Sequence, residues 1–447
     1  MFDIAYLGRR CFRFIRRYPR TWTTIGFLLI FGIGIRLGQT VPFSKITDYF
    51  RSFADRERTD VTQSVARGVL HRQIQDNGML TNILAVSPDV VDIRPYRALS
   101  AGIGTETLVS LARRHKALAA VNGGFFEMVG TFRGESVGAL KIDGEWISEP
   151  EQGRAVIGFR TVDGKIEASI DRIALQQELV LSSGGTLPID GMNRERGRNE
   201  LVIYRSHFHG VTLTMPNGVE AVVRDDKVVG IHEGQGSSRI PVDGYVLSAS
   251  GKKRGELLSH IAEGDTVQIR ETIIPERVGD SKLWASFAHI VGGGPLLLQD
   301  GSAPSTQAYE QEGFDRAFHS FWHPRTAVGK KADGTLLFVT ITGTEAGVRR
   351  GVMLSRLAEL FLEWEATDAL NLDGGNSSML VIRDEVVSVK KKKAATRDTS
   401  EGKKTHVEKK VRAEKNAKTA RGNRRIRPLP RQQGRAISDA ILIFSRF

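Results

Sequence analysis

Between residues 135 and 275, strand-length apolar runs are separated by Asp143-Gly, Asp163-Gly, Asn217-Gly and Asp243-Gly. These dipeptides supply the positive φ values that two-residue hairpin turns require, so the stretch predicts antiparallel strands joined by local connections. Runs over 69–74, 83–86 and 90–93 carry the same pattern toward the N-terminus. Helical spacing enters at 106–115, which feeds a buried strand at 117–121. It returns at 353–364, where apolar residues at 353, 354, 357, 361 and 364 form one stripe ahead of a strand at 369–372. A final strand occupies 436–444. The expected class is α+β: mixed, largely antiparallel sheets with a few flanking helices, behind an N-terminal transmembrane helix.

Charge divides the 447 residues into parts. The formal net charge is +13, yet 390–435 alone has a surplus of 14 Lys and Arg over Asp and Glu, and 1–20 a surplus of 5. The remainder is acidic by 6, which excludes a basic globular domain. Arg9, Arg10, Arg13, Arg16, Arg17 and Arg20 precede an apolar run at 22–43, long enough at 1.5 Å per residue to cross a ~30 Å hydrocarbon layer. The arginines should stay cytoplasmic, placing the main domain in the periplasm or outside the cell. A cleaved signal peptide is the competing reading, but no small-x-small cleavage pattern follows. Cys11 stands alone, so no intrachain disulfide can form.

The expected organisation is a basic cytoplasmic segment 1–20, a membrane anchor 21–43, a stalk 44–67, and one domain from 68–389 plus 435–447. Segment 390–434 interrupts that domain as a basic, solvated insertion that cannot bury a core. Beyond a membrane, its partners would be anionic lipid headgroups or anionic glycans, and no nucleic acid is expected.

Three strands end in glycine clusters: Asn122-Gly-Gly-Phe-Phe126, Gly292-Gly-Gly-Pro-Leu296 and Asn371-Leu-Asp-Gly-Gly-Asn-Ser-Ser378. Glycines after a strand let a ligand approach the backbone, and their peptide N–H groups can cradle an anion. Asn371 and Asp373 lie two apart and face one way, with Leu370 and Leu372 facing the other. A carboxylate beside a carboxamide suits a general base or a nucleophile, whereas an Asx turn cap is the plain alternative. The cluster lacks the alternating oxygen ligands of a calcium loop. His323-Pro-Arg-Thr-Ala-Val-Gly329 adds a guanidinium fork suited to phosphate or carboxylate. His207 and His209 share a strand face and form either a metal pair or ordinary surface histidines, with no third ligand evident.

These motifs, in this order, resemble those of the phosphodiester glycosidase family over roughly 69–389 and 435–447. Arg435-Ala-Ile-Ser-Asp-Ala-Ile441 is similar to the closing strand of bacterial members. Asn376 stands where the family has a third glycine, and Thr342-Gly-Thr344 replaces a charged Asp-Gly-Arg. The resemblance implies cleavage of the bond between a sugar's anomeric carbon and a phosphodiester, on cell-envelope or exopolysaccharide glycans. It implies Asp373 as the working carboxylate, with Glu127 and His323 as proton carriers. Asn122, Gly123, Gly124, Gly293, Arg325, Thr326, Asn371, Gly374 and Gly375 would bind the substrate. No metal or cofactor is required. The alternative is a protein that binds anionic envelope glycopolymers without cleaving them.

Overall fold

A computed structural model describes residues 58–447 apart from 77, 152, 278–280, 344–350 and 389–433. The expected anchor at 21–43, Cys11, Thr344 and all but Gly434 of the insertion lie outside the described residues. Among the described residues, no helix is long and apolar enough to cross a membrane.

The Gly-punctuated runs form antiparallel sheets. One seven-stranded sheet runs in the order Thr59–Ala66, Val69–Asp76, Met79–Val86, Leu336–Gly343, Arg325–Lys331, Ala366–Asn371 and Leu296–Leu298. A five-stranded sheet has the order Glu385–Val386, Leu380–Ile382, Ala119–Asn122, Asp439–Ser445 and Val91–Arg97. The two share a core. Leu84, Val328 and Leu370 come from the first, with Leu372 just beyond its strand end, and Val121, Ile93, Ile441 and Ile443 from the second. Strand Ala155–Val162 of a second seven-stranded sheet adds Ile157 and Phe159 to it. Val156 and Ile173 of that sheet belong to another core, shared with Leu201, Ile203, Val219 and Leu247 of a further five-stranded sheet.

Helix Leu354–Glu363 covers the outer face of the first sheet with Leu354, Leu357 and Phe361 of the expected stripe and with Ala358, while Met353 and Trp364 cap its ends. Gly329 lets it approach, since a Cβ there would lie 2.6 Å from two carbons of the Phe361 ring. Phe361→Ala is therefore expected to cost about 3–5 kcal/mol, because the fully buried ring leaves a cavity the rigid sheet cannot fill. A urea midpoint close to the wild type's would contradict that packing account. On the five-stranded sheet, helix Leu108–Arg114 buries Leu108, Leu111 and Ala112, and Thr107 Oγ1 caps it by accepting from Ser110 N at 3.3 Å.

One expectation is corrected here. The stalk assigned to 44–67 ends earlier, because Thr59–Ala66 is an edge strand paired in antiparallel register with Val69–Asp76. Its side chains are mostly exposed, so it lacks the in-out apolar alternation by which strands are recognised. The closing strand behaves as expected. After the basic insertion the chain returns as Asp439–Ser445, inserted between Ala119–Asn122 and Val91–Arg97.

Candidate functional site

The strand order brings the glycine clusters together. Ala119–Asn122 is central in its sheet, while Arg325–Lys331 and Ala366–Asn371 are antiparallel neighbours in the other, and the ends of the first and third meet the start of Arg325–Lys331 at one edge of the shared core. Asp373 N donates to Gly123 O at 3.2 Å, Gly294 N to Asn371 O at 2.7 Å, and Gly375 N to Pro324 O at 2.9 Å. The side chain of Asn122 fastens the junction. Its Oδ1 accepts from Thr326 Oγ1 at 2.7 Å and Met379 N at 3.2 Å, and its Nδ2 donates to Asp373 O at 2.7 Å. Asn371 Nδ2 donates to Gly294 O at 2.7 Å, while its buried Oδ1 has no hydrogen-bond partner among the described residues.

Several of these groups are therefore occupied. Asn122, Thr326 and Asn371 are buried within the scaffold, so they hold the elbows in place and do not present side chains to a ligand as expected. The nest expected at Gly123–Gly124 is filled, because Gly123 N donates to Asp439 O and Gly124 N to Asp439 Oδ1, each at 3.0 Å. Gly293 N donates to Ala155 O, and Gly374 N to Asp373 Oδ1 at 2.8 Å. Gly123 must be glycine, since a Cβ would lie 1.9 Å from Asp439 Oδ1.

Asp373 sits where the elbows meet, its side chain 14% exposed. Oδ2 accepts from Arg435 Nη2 at 3.2 Å. Burial lifts its carboxyl above the usual aspartate range, against the opposing pull of Ser377, Arg435 and the Gly374 N–H. Asp439 lies alongside, enclosed, and adds to the upward shift of Asp373 through like charge. Arg325 is buried to 1% exposure. Nε donates to Val352 O at 3.2 Å and Nη2 to Phe318 O at 2.5 Å, with the guanidinium 4.9 Å from the centre of the Phe318 ring. Among the described residues no carboxylate pairs with it, and burial pushes it down to about 10.

The proposed proton carriers are placed differently. Glu127 Oε1 accepts from Met128 N at 2.9 Å and Val129 N at 3.2 Å, closing the loop that follows. His323 Nε2 donates to Ala317 O at 3.1 Å, and its backbone pairs with Val352. Neither side chain is hydrogen-bonded to Asp373 among the described residues. The shared strand face of His207 and His209 is also corrected. The strand ends at Arg205, His207 turns inward at 3.0 Å from Asn193 Nδ2 and is pushed down to about 4 by burial, and His209 is exposed. Among the described residues no group of three or more His, Cys, Asp or Glu is placed to hold a metal ion. Asn376 is exposed without a left-handed backbone, so this turn accepts a side chain at that position.

Sequence reasoning gave no role to Arg435, Ser377 or Asp439. The signal was available in Arg435 and Asp439, two charged residues flanking the first apolar positions of a strand that otherwise reads as core. It also passed over Glu135, which is buried beside the paired strands Phe125–Phe126 and Ser136–Val137 and pushed up to about 8 by that burial.

Residues 217–414 match the phosphodiester glycosidase family model. An uncharacterized protein of Rickettsia conorii is 27% identical over 237 residues, 52% of this chain and 77% of its own length. The bovine N-acetylglucosamine-1-phosphodiester alpha-N-acetylglucosaminidase is 26% identical over 107 residues, which is 24% of this chain and only 20% of that enzyme. A crystal structure of a hypothetical protein from Synechocystis shares the fold with a TM-score of 0.67 at 22% identity, covering 88% of this chain and 65% of that one. It is thus the phosphodiester glycosidase family that this chain resembles, through the matched segment 217–414 and through local similarity to a named enzyme of that activity.

Proposed function

We propose that the protein is a hydrolase that cleaves the bond between a sugar's anomeric carbon and a phosphodiester oxygen, with Asp373 as the working carboxylate. The observation that carries this reading is the partly exposed carboxyl of Asp373 at the junction of the glycine elbows, beside a guanidinium. The activity for which the bovine relative is named supplies the bond type.

The chemistry asks little more of the site. The leaving group departs as a phosphate monoester, which is already anionic, so strong proton donation to it is unnecessary. Water adds its oxygen to the anomeric carbon, the carbon–oxygen bond to phosphate breaks, and its electron pair stays on the phosphate oxygen. Asp373 takes the proton from that water, or itself attacks and is released by water in a second step. The upward shift of Asp373 fits either role, since a more basic carboxylate is a better proton acceptor and a better nucleophile. On this reading the N-terminal segment anchors the enzyme facing envelope or exopolysaccharide glycans, and segment 390–434 meets anionic lipid or polymer.

The test is release of reducing sugar from a panel of sugar 1-phosphodiesters, including N-acetylglucosamine derivatives, by the full-length protein. Release from one or more members is expected. A folded protein that binds such compounds and releases nothing would replace the hydrolase with a binder of anionic glycopolymers.

A further inference from the structure

Hydrolysis at Asp373 needs a cationic group to hold the phosphate and take up the charge that develops on the departing oxygen. The groups that look suited to this are used elsewhere. The N–H groups of Gly123, Gly124, Gly293, Gly294, Gly374 and Gly375 all donate within the scaffold. Arg325 is buried with Nε and Nη2 on main-chain carbonyls, which fixes the 318–325 loop.

Arg435 is arranged differently. Its Nε and Nη2 donate to Ser377 Oγ at 3.1 and 2.5 Å, and Nη2 also reaches Asp373 Oδ2. The guanidinium lies 5.3 Å from the centre of the Phe126 ring, so its plane is held from a second side. Among the described residues the remaining nitrogen, Nη1, faces only the thioether of Met128 at 2.9 Å. A thioether is a poor acceptor, so the strong donors on that edge have no oxygen partner among the described residues. The side chain is 31% exposed, and Met128, which covers that edge, is 55% exposed and free to move aside.

We propose that Arg435 is the phosphate-binding residue of the site, its Nη1 edge taking a phosphoryl oxygen of a sugar phosphate once Met128 shifts. This rests on the hydrolase reading above and names the anion-holding group that it requires. The same contact has a second effect. A bound anion draws on the guanidinium that pairs with Asp373 in the free protein, which leaves that carboxylate more basic when substrate is present.

The experiment titrates the full-length protein calorimetrically with N-acetylglucosamine 1-phosphate and, separately, with N-acetylglucosamine. The wild type should bind the phosphorylated sugar at least tenfold more tightly, and Arg435→Gln should lose that preference. Met128→Glu tests the same edge without disturbing the scaffold, because its carboxylate would occupy Nη1 from an exposed position. It too should lose the preference, by tenfold or more, with an unchanged urea midpoint. Preference retained in either folded variant overturns the assignment of Arg435 while leaving the hydrolase reading in place. A wild type that does not distinguish the two sugars, and releases none from the diester panel, removes the hydrolase reading itself.

Discussion

Asp373→Asn should reduce sugar release by about a thousand-fold or more, the scale found when a group essential to proton transfer or attack is removed. The fold should survive. The amide oxygen can still accept from Gly374 N, and the substitution takes a charge out of a site where burial already disfavours it. What is lost is basicity and the contact to Arg435 Nη2, where two donors would now meet. The wild type should show the matching pH dependence. Burial raises the carboxyl of Asp373, and only the ionised form can act, so activity appears as pH rises through that raised value. The acid limb of kcat/KM should therefore lie above the ordinary aspartate range. A limb at the ordinary value, or a variant that still turns over, would remove Asp373 from its role.

Much of this arrangement was legible in the sequence, for identifiable reasons. Asp-Gly and Asn-Gly turns have few conformational alternatives, which is why the antiparallel character could be read directly. Helix Leu354–Glu363 buries the stripe that its spacing marked, because one-sided burial imposes that period. The elbows could be recognised as strand ends, and the strand order does bring them to one place. Their occupancy could not be read. Whether the N–H of Gly124 is free depends on Asp439, more than 300 residues away, whose carboxylate occupies it. In the same way, Arg325 looked like an anion site by type, and only the fold shows its donors on the main-chain carbonyls of Phe318 and Val352. Edge strand Thr59–Ala66 was missed because main-chain pairing holds it and its side chains leave little trace in the apolar pattern.

Asp439 should show opposite responses to two substitutions. It is 2% exposed, with Oδ1 accepting from Gly124 N and Oδ2 at 2.5 Å from Ser438 Oγ and 3.3 Å from Ser136 Oγ, and no cation pairs with it among the described residues. Burial therefore holds its carboxyl above the ordinary aspartate value. A carboxyl raised on folding contributes stability that is full below its unfolded value and is lost as pH rises through its folded value. Asp439→Asn preserves the neutral shape, with an oxygen for Gly124 N and an N–H for the two hydroxyls. It should match the wild type under acidic conditions and exceed it in stability at about pH 8. Asp439→Ala should be less stable at both, by about 2–4 kcal/mol, since it strands the Gly124 N–H and two hydroxyls beside a new void. Urea unfolding at the two pH values measures both responses. If Asp439→Asn lost stability relative to the wild type as pH rose, Asp439 would be ionised in the folded protein, and the upward shift assigned to its enclosure would be wrong.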